Sequence, residues 1–77
     1  MLSKKSFLVI GGGGLLGSHL TASMLDQGAR IIAIDIDIDQ MKQKLSLLDV
    51  NLTSKKLSLS SIDITDEDAV KKFFSQI

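Results

Sequence analysis

Gly11-Gly12-Gly13-Gly14-Leu15-Leu16-Gly17 is the segment of this sequence best suited to chemistry. It satisfies two glycine patterns together: GxGxxG at Gly12, Gly14 and Gly17, and GxxGxxG at Gly11, Gly14 and Gly17. Glycine at this spacing lets a chain turn sharply after a strand and lets main chain approach a pyrophosphate. The last glycine lets the following helix lie against the sheet. Free N–H groups and the positive end of the helix dipole would hold the phosphates, with no basic side chain required. Asp35 stands close to the offset of about 20 residues at which a carboxylate accepts hydrogen bonds from adenosine ribose hydroxyls. An acid there repels a 2′-phosphate, which favours NAD over NADP. The plain alternative is a glycine-rich strand–helix turn with an ordinary capping Asp, and it needs strand, turn, helix and acid to coincide by accident.

Other polar residues carry less. Asp37 and Asp39 alternate with Asp35 and read as solvated loop residues, one of them capping the next helix. An extended strand would point all three acids the same way without enclosing an ion, so no metal site is expected. His19 has no evident acidic partner and reads as a packed or phosphate-proximal residue rather than a base. Ser18 is a candidate hydroxyl near the phosphates. Lys55-Lys56 and Lys71-Lys72 read as solvated surface. Phe73 and Phe74 are expected on a helix face, one of them buried, rather than as a stacking platform for nucleic acid.

Three strand-like runs alternate with three helix-like runs to position these residues. Ser6 to Ile10 is a short run ending at glycines, expected as a parallel strand buried on both faces. Leu15 to Gln27 predicts a helix with Leu16, Leu20 and Met24 on its apolar face, Leu25 beside them, and Gly28 as its stop. Arg30 to Ile36 is a second strand. A second helix is expected from Asp39 to Val50 with Met41, Leu45 and Leu48 inward, followed by a loop over 51–54. Leu57 to Ile64 predicts a third strand. Thr65 is positioned to cap a last helix that begins with Asp66, Glu67 and Asp68 and aligns Val70, Phe73 and Ile77. The order βαβαβα implies an α/β fold, a Rossmann-like half with a parallel sheet and right-handed crossovers. In a doubly wound sheet the first strand is central. Here it would be an open apolar edge, so residues 1–77 are expected to be a truncated half, prone to self-association through that strand.

Size and composition agree with one small domain. The chain has 77 residues, and 44% of them are hydrophobic, enough for a core. Nine Lys and Arg balance nine Asp and Glu, which leaves no electrostatic footprint for nucleic acid or an anionic membrane. The absence of Cys excludes disulfides, thiolate zinc sites and a nucleophilic thiol. Lys4-Lys5 and the apolar run after them resemble a signal peptide, but four consecutive glycines interrupt the run. A cytoplasmic protein is expected.

The segment Val9 to Leu20 resembles the opening of the short-chain dehydrogenases/reductases, especially their extended, sugar-nucleotide epimerase/dehydratase branch. That branch usually carries Thr where Ile10 stands, and the classical branch would want glycine at Leu15. Asp63-Ile64-Thr65-Asp66 is similar to the family's acidic motif after the third strand. The resemblance implies that Asp63 bonds the adenine amino group and Ile64 lines its pocket. By its residues alone, Asp63 reads equally as the start of an Asx-turn. The implied cofactor-binding residues are Gly11, Gly14, Leu15, Leu16, Gly17, Asp35, Asp63 and Ile64. The family's Tyr-x-x-x-Lys pair has no counterpart, since the chain contains no Tyr.

Three functions fit. The first is the NAD-binding segment of an oxidoreductase or sugar-nucleotide epimerase/dehydratase whose catalytic and small-molecule substrate-binding part lies elsewhere. The second is a non-catalytic NAD(P)-binding module, separated from the first by a downstream Tyr-x-x-x-Lys. The third is a non-functional fragment, separated from both by the absence of cooperative unfolding. A flavin site is disfavoured, because flavin-binding relatives prefer Glu at the position of Asp35.

Overall fold

The computed structural model describes residues 4–76. Its elements are β1 (Ser6–Ile10), α1 (Leu15–Asp26), β2 (Arg30–Asp35), α2 (Ile38–Leu47), β3 (Leu57–Ser61) and α3 (Glu67–Ser75). The three strands form one parallel sheet in the order β1-β2-β3, with Val9, Ala33 and Leu59 in register. This is the Rossmann-like arrangement expected, with β1 at a free edge.

Side chains alternate between the faces of a strand. Val9, Ile31 and Ala33 join Ala29, Met41 and Leu45 in the core, with Phe7, Leu57 and Leu59 packed against it. β1 is not buried on both faces as expected: Leu8 is 36% exposed and Ile10 55%. An edge strand has no neighbour to cover it.

The apolar face expected for α1 is corrected in its first half, whereas Met24 and Leu25 are half-buried and packed against the core as expected. Leu16 is 72% exposed and Leu20 45%, whereas Ser18 and Thr21 are buried. The buried hydroxyls donate within the helix, Ser18 Oγ to the Leu15 carbonyl at 3.1 Å and Thr21 Oγ1 to the Gly17 carbonyl at 2.8 Å. Satisfied in this way, they can be buried without loss. Leu16, Leu20 and Met24 line, with Leu8 and Ile10, an apolar hollow of ≈ 530 Å³ along the β1 edge.

α1 ends as expected at Gly28, whose φ of 91° lies in the left-handed region. The Gly28 N–H reaches the Leu25 carbonyl and the Ala29 N–H the Met24 carbonyl, a Schellman closure. The α2 stripe is as expected, with Met41 and Leu45 fully buried and Leu48 half-buried. α2 begins at Ile38 rather than Asp39, because Asp37 is its cap and accepts from the Gln40 N–H at 2.9 Å. Asp35, Asp37 and Asp39 therefore do not share an extended strand: they end β2, cap α2 and enter its first turn. α3 is capped by Asp66, which accepts from the Ala69 N–H at 3.1 Å, and not by Thr65. Val70 and Phe73 are half-buried and Phe74 is exposed, so neither ring is fully buried. Ile77 lies outside the described residues. Among the described residues, no helix is long and apolar enough to cross a membrane.

Candidate functional site

The C-terminal ends of the three parallel strands converge where ligands bind in open α/β sheets. At β1 the chain enters the glycine turn. Gly11 takes φ +79°, and both its N–H and that of Gly12 donate to the Ile34 carbonyl, at 2.8 and 3.0 Å. The turn is thus hung from the end of β2. The Gly14 N–H closes back on the Gly11 carbonyl at 3.0 Å, and Gly14 becomes the N-cap of α1 with no side-chain cap.

Gly17 is the tightest position. A Cβ there would lie 2.2 Å from the Gly11 carbonyl oxygen, a main-chain atom that cannot yield. The first turn of α1 therefore sits directly on the loop. Ser18 N–H makes the first helical bond, to the Gly14 carbonyl. The preceding N–H groups, at Leu15, Leu16 and Gly17, are the orphan donors of a helix start. Together they form a main-chain cradle for an anion, reinforced by the helix dipole.

Asp35 ends β2 beside this cradle. Its Oδ2 accepts from the Gly13 N–H at 2.9 Å and its Oδ1 from the Asp37 N–H at 3.0 Å. Two main-chain donors fix the carboxylate and leave further lone pairs for hydroxyl donors. Asp63 follows β3 and is exposed. Its Oδ1 accepts from the Thr65 hydroxyl at 2.6 Å and the Thr65 N–H at 2.9 Å. These two bonds, the hydroxyl first, hold the Asp63 carboxyl below its ordinary value. The Asx-turn expected from the residues alone is present, and it leaves Oδ2 without a bond among the described residues.

Between Asp35 and Asp63 lies an apolar cavity of ≈ 230 Å³ with Ile10, Gly11, Ile34, Ile36 and Ile64 in its walls. Gly11, Gly14, Leu15, Leu16, Gly17, Asp35, Asp63 and Ile64 thus meet at one end of the sheet. His19 is apart from them. It is exposed and opens on a larger cavity of ≈ 600 Å³ with Asp26, Asn51 and Lys56, toward the N-terminal ends of the strands. It is therefore not packed in the core. Ser18 is buried and bonded to its own helix.

Two residues escape a reading of the sequence, Ile36 and Gly13, and the neighbour of Gly12 escapes it too. Ile36 is 66% exposed yet forms a wall of the Asp35–Asp63 cavity, and its position just after the strand-end acid is the signal available for it. Gly12 and Gly13 are buried in the turn. A Cβ on Gly12 would meet Met41 Sδ at 2.6 Å, and one on Gly13 would meet Asp35 Oδ2 at 2.9 Å. Gly12 was marked by the GxGxxG pattern, whereas the run of four glycines was the only trace of Gly13.

This arrangement is that of a dinucleotide-binding Rossmann unit, and comparison with known proteins gives the family. The model of the NAD dependent epimerase/dehydratase family matches residues 7–77, and the chain belongs to that family. It is 36% identical over 76 residues to the short chain dehydrogenase/reductase dpchG of Colletotrichum higginsianum, covering 99% of this chain and 28% of that protein. It is 34% identical over 76 residues to a UDP-glucose 4-epimerase of Caenorhabditis elegans, covering 90% of this chain and 22% of that one. An NADPH-bound short chain oxidoreductase from Pseudomonas aeruginosa PAO1, described as having an atypical catalytic center, superposes with a TM-score of 0.80 at 24% identity. The superposition covers 97% of this chain and 29% of that one. The chain spans about a quarter of the length of the curated relatives it matches.

Proposed function

We propose that residues 1–77 are the N-terminal part of an NAD-binding Rossmann domain in an oxidoreductase or sugar-nucleotide epimerase/dehydratase. Leu15, Leu16 and Gly17 offer their N–H groups to the pyrophosphate, and Gly11 and Gly14 keep side chains out of its path. Asp35 accepts from the adenosine ribose hydroxyls. Asp63 accepts from the adenine amino group, and Ile64 lies along the ring. Bound NAD would supply hydride acceptance and return at a carbinol carbon; these residues bind and orient.

The observation that carries this reading is the bond from the Gly13 N–H to Asp35 Oδ2 at 2.9 Å. It holds the ribose acceptor and the phosphate cradle in one frame. Asp35, Asp37 and Asp39 cluster at the ribose end, and no Lys or Arg lines the cavity between Asp35 and Asp63. Both features support NAD over NADP. With no Tyr in the chain, proton exchange with a substrate falls to residues outside these 77. The free β1 edge, with Leu8 and Ile10 exposed, supports strand addition there, including by a second copy of the chain.

Calorimetric titration with NAD and NADP tests the reading. NAD is expected to bind tighter, and Asp35→Ala to weaken NAD while narrowing the difference. Equal affinity for both cofactors in the unmodified protein would contradict the role given to Asp35.

A further inference from the structure

We infer that Met41 is a positioning residue for the phosphate-binding turn, matched in size to Gly12; this rests on the dinucleotide reading above. Met41 is fully buried in the first half of α2, and its N–H donates to the Asp37 carbonyl at 3.1 Å. Its thioether lies directly beneath the turn. A Cβ on Gly12 would stand 2.6 Å from Sδ, 3.0 Å from Ala33 Cβ and 3.6 Å from Met41 Cγ, so the sulfur makes the closest contact and Ala33 the next. A Cβ on Gly13 would stand 3.2 Å from Met41 Cα and 3.3 Å from its Cβ. The turn is therefore clamped. Gly11 and Gly12 hang from the Ile34 carbonyl on one side, and Met41 supports Gly12 and Gly13 on the other.

This clamp sets the height at which Leu15, Leu16 and Gly17 present their N–H groups. It also links the two halves of the site. The cap of the helix that carries Met41 is Asp37, whose N–H donates to Asp35 Oδ1. Met41 thereby fixes the spacing between the phosphate cradle and the ribose acceptor. An unbranched thioether suits the irregular space under a turn that has no side chains of its own.

The test is size exchange, read with three ligands: NAD, ADP and adenosine. Gly12→Ala pushes the turn off the sulfur and is expected to weaken NAD and ADP about tenfold or more, with adenosine unchanged. Adding Met41→Val to Gly12→Ala removes the δ atom, leaves only the looser contact with Ala33 Cβ, and should recover part of the lost NAD and ADP affinity. A purely structural effect would lower all three ligands together. Wild-type affinity in Gly12→Ala, equal loss of adenosine, or a double variant no better than the single one overturns the inference. Should Gly12→Ala not fold, Met41→Val alone carries the test. It must weaken NAD and ADP and spare adenosine, and unchanged affinities would overturn the inference. Failure of the unmodified protein to bind any of the three would instead remove the dinucleotide reading on which the inference stands.

Discussion

α1 carries Leu16, Leu20 and Met24 four residues apart, and α2 carries Met41, Leu45 and Leu48 in a similar stripe. The α2 stripe faces the sheet, with Met41 and Leu45 wholly buried. On α1, Leu16 and Leu20 look outward, and Ser18 and Thr21 take the inner positions. The difference lies in what precedes each helix. α2 starts at a side-chain cap, and its orientation is free to follow its apolar residues. α1 starts at a turn whose Gly11 carbonyl touches Gly17, so the Gly17 side must face inward whatever lies on the other side. The packing of the turn overrides the hydrophobic preference, and the displaced leucines collect at the β1 edge.

Breaking the constraint at its centre has the largest expected effect. Gly17→Val drives a side chain into the Gly11 carbonyl and should cost more than about 3 kcal/mol while abolishing NAD binding. Thermal unfolding and a titration measure both, and retained affinity would disprove the close packing of helix on turn. The two stripes can be compared directly. Leu45→Ala removes a buried side chain and should cost ~2–5 kcal/mol. Leu16→Ala, on the exposed stripe, should change stability by no more than about 0.5 kcal/mol. Similar losses in denaturant unfolding would erase the distinction drawn between the helices.

A smaller effect sharpens the same comparison at the C-terminal ends. Both helices close with a Schellman pattern, α1 on Gly28 at φ 91° and α2 on Asp49 at φ 61°. Asp49→Gly relieves the left-handed strain and should stabilise by about 1 kcal/mol; Gly28→Asp should do the reverse. The smallest effect concerns pH at the exposed Asp63. Thr65 holds its carboxyl below the ordinary value, so the folded state favours the ionised form. The Asx-turn is then intact above about pH 4, the unfolded value, and is lost as pH falls through the lower folded value. In an NMR titration Thr65→Val should move the Asp63 midpoint upward, and an unmoved midpoint would show that the hydroxyl does not hold it.

Much of this architecture is legible in the residues. Four consecutive glycines after an apolar run mark the end of β1 and the start of α1. Gly28 marks the helix stop, and Asp35 marks the end of β2, because each answers a local requirement of backbone or capping. The exposure of Leu16 and Leu20 on α1 was not legible, since periodicity defines an apolar stripe but not whether a turn lets it face inward, while Met24 and Leu25 pack against the core as expected. Helix α2 starts a residue early and β3 ends at Ser61 for a related reason: Asp37 and Asp63 take up main-chain N–H groups in local bonds that apolar patterning does not register. At the site, the converging residues were legible from their spacing along the chain. The support under them was not, because Gly12 meets Met41 across 29 positions of sequence.

The most direct test of the central claim is amide chemical-shift mapping of the isotope-labelled protein as NAD is added. Saturable shifts are expected at Gly13, Leu15 to Gly17, Asp35, Asp63 and Ile64, with Asp26 and Asn51 at the far end unmoved. Shifts centred on Asp26 and Asn51, or none at millimolar NAD, would contradict a dinucleotide site at the glycine turn.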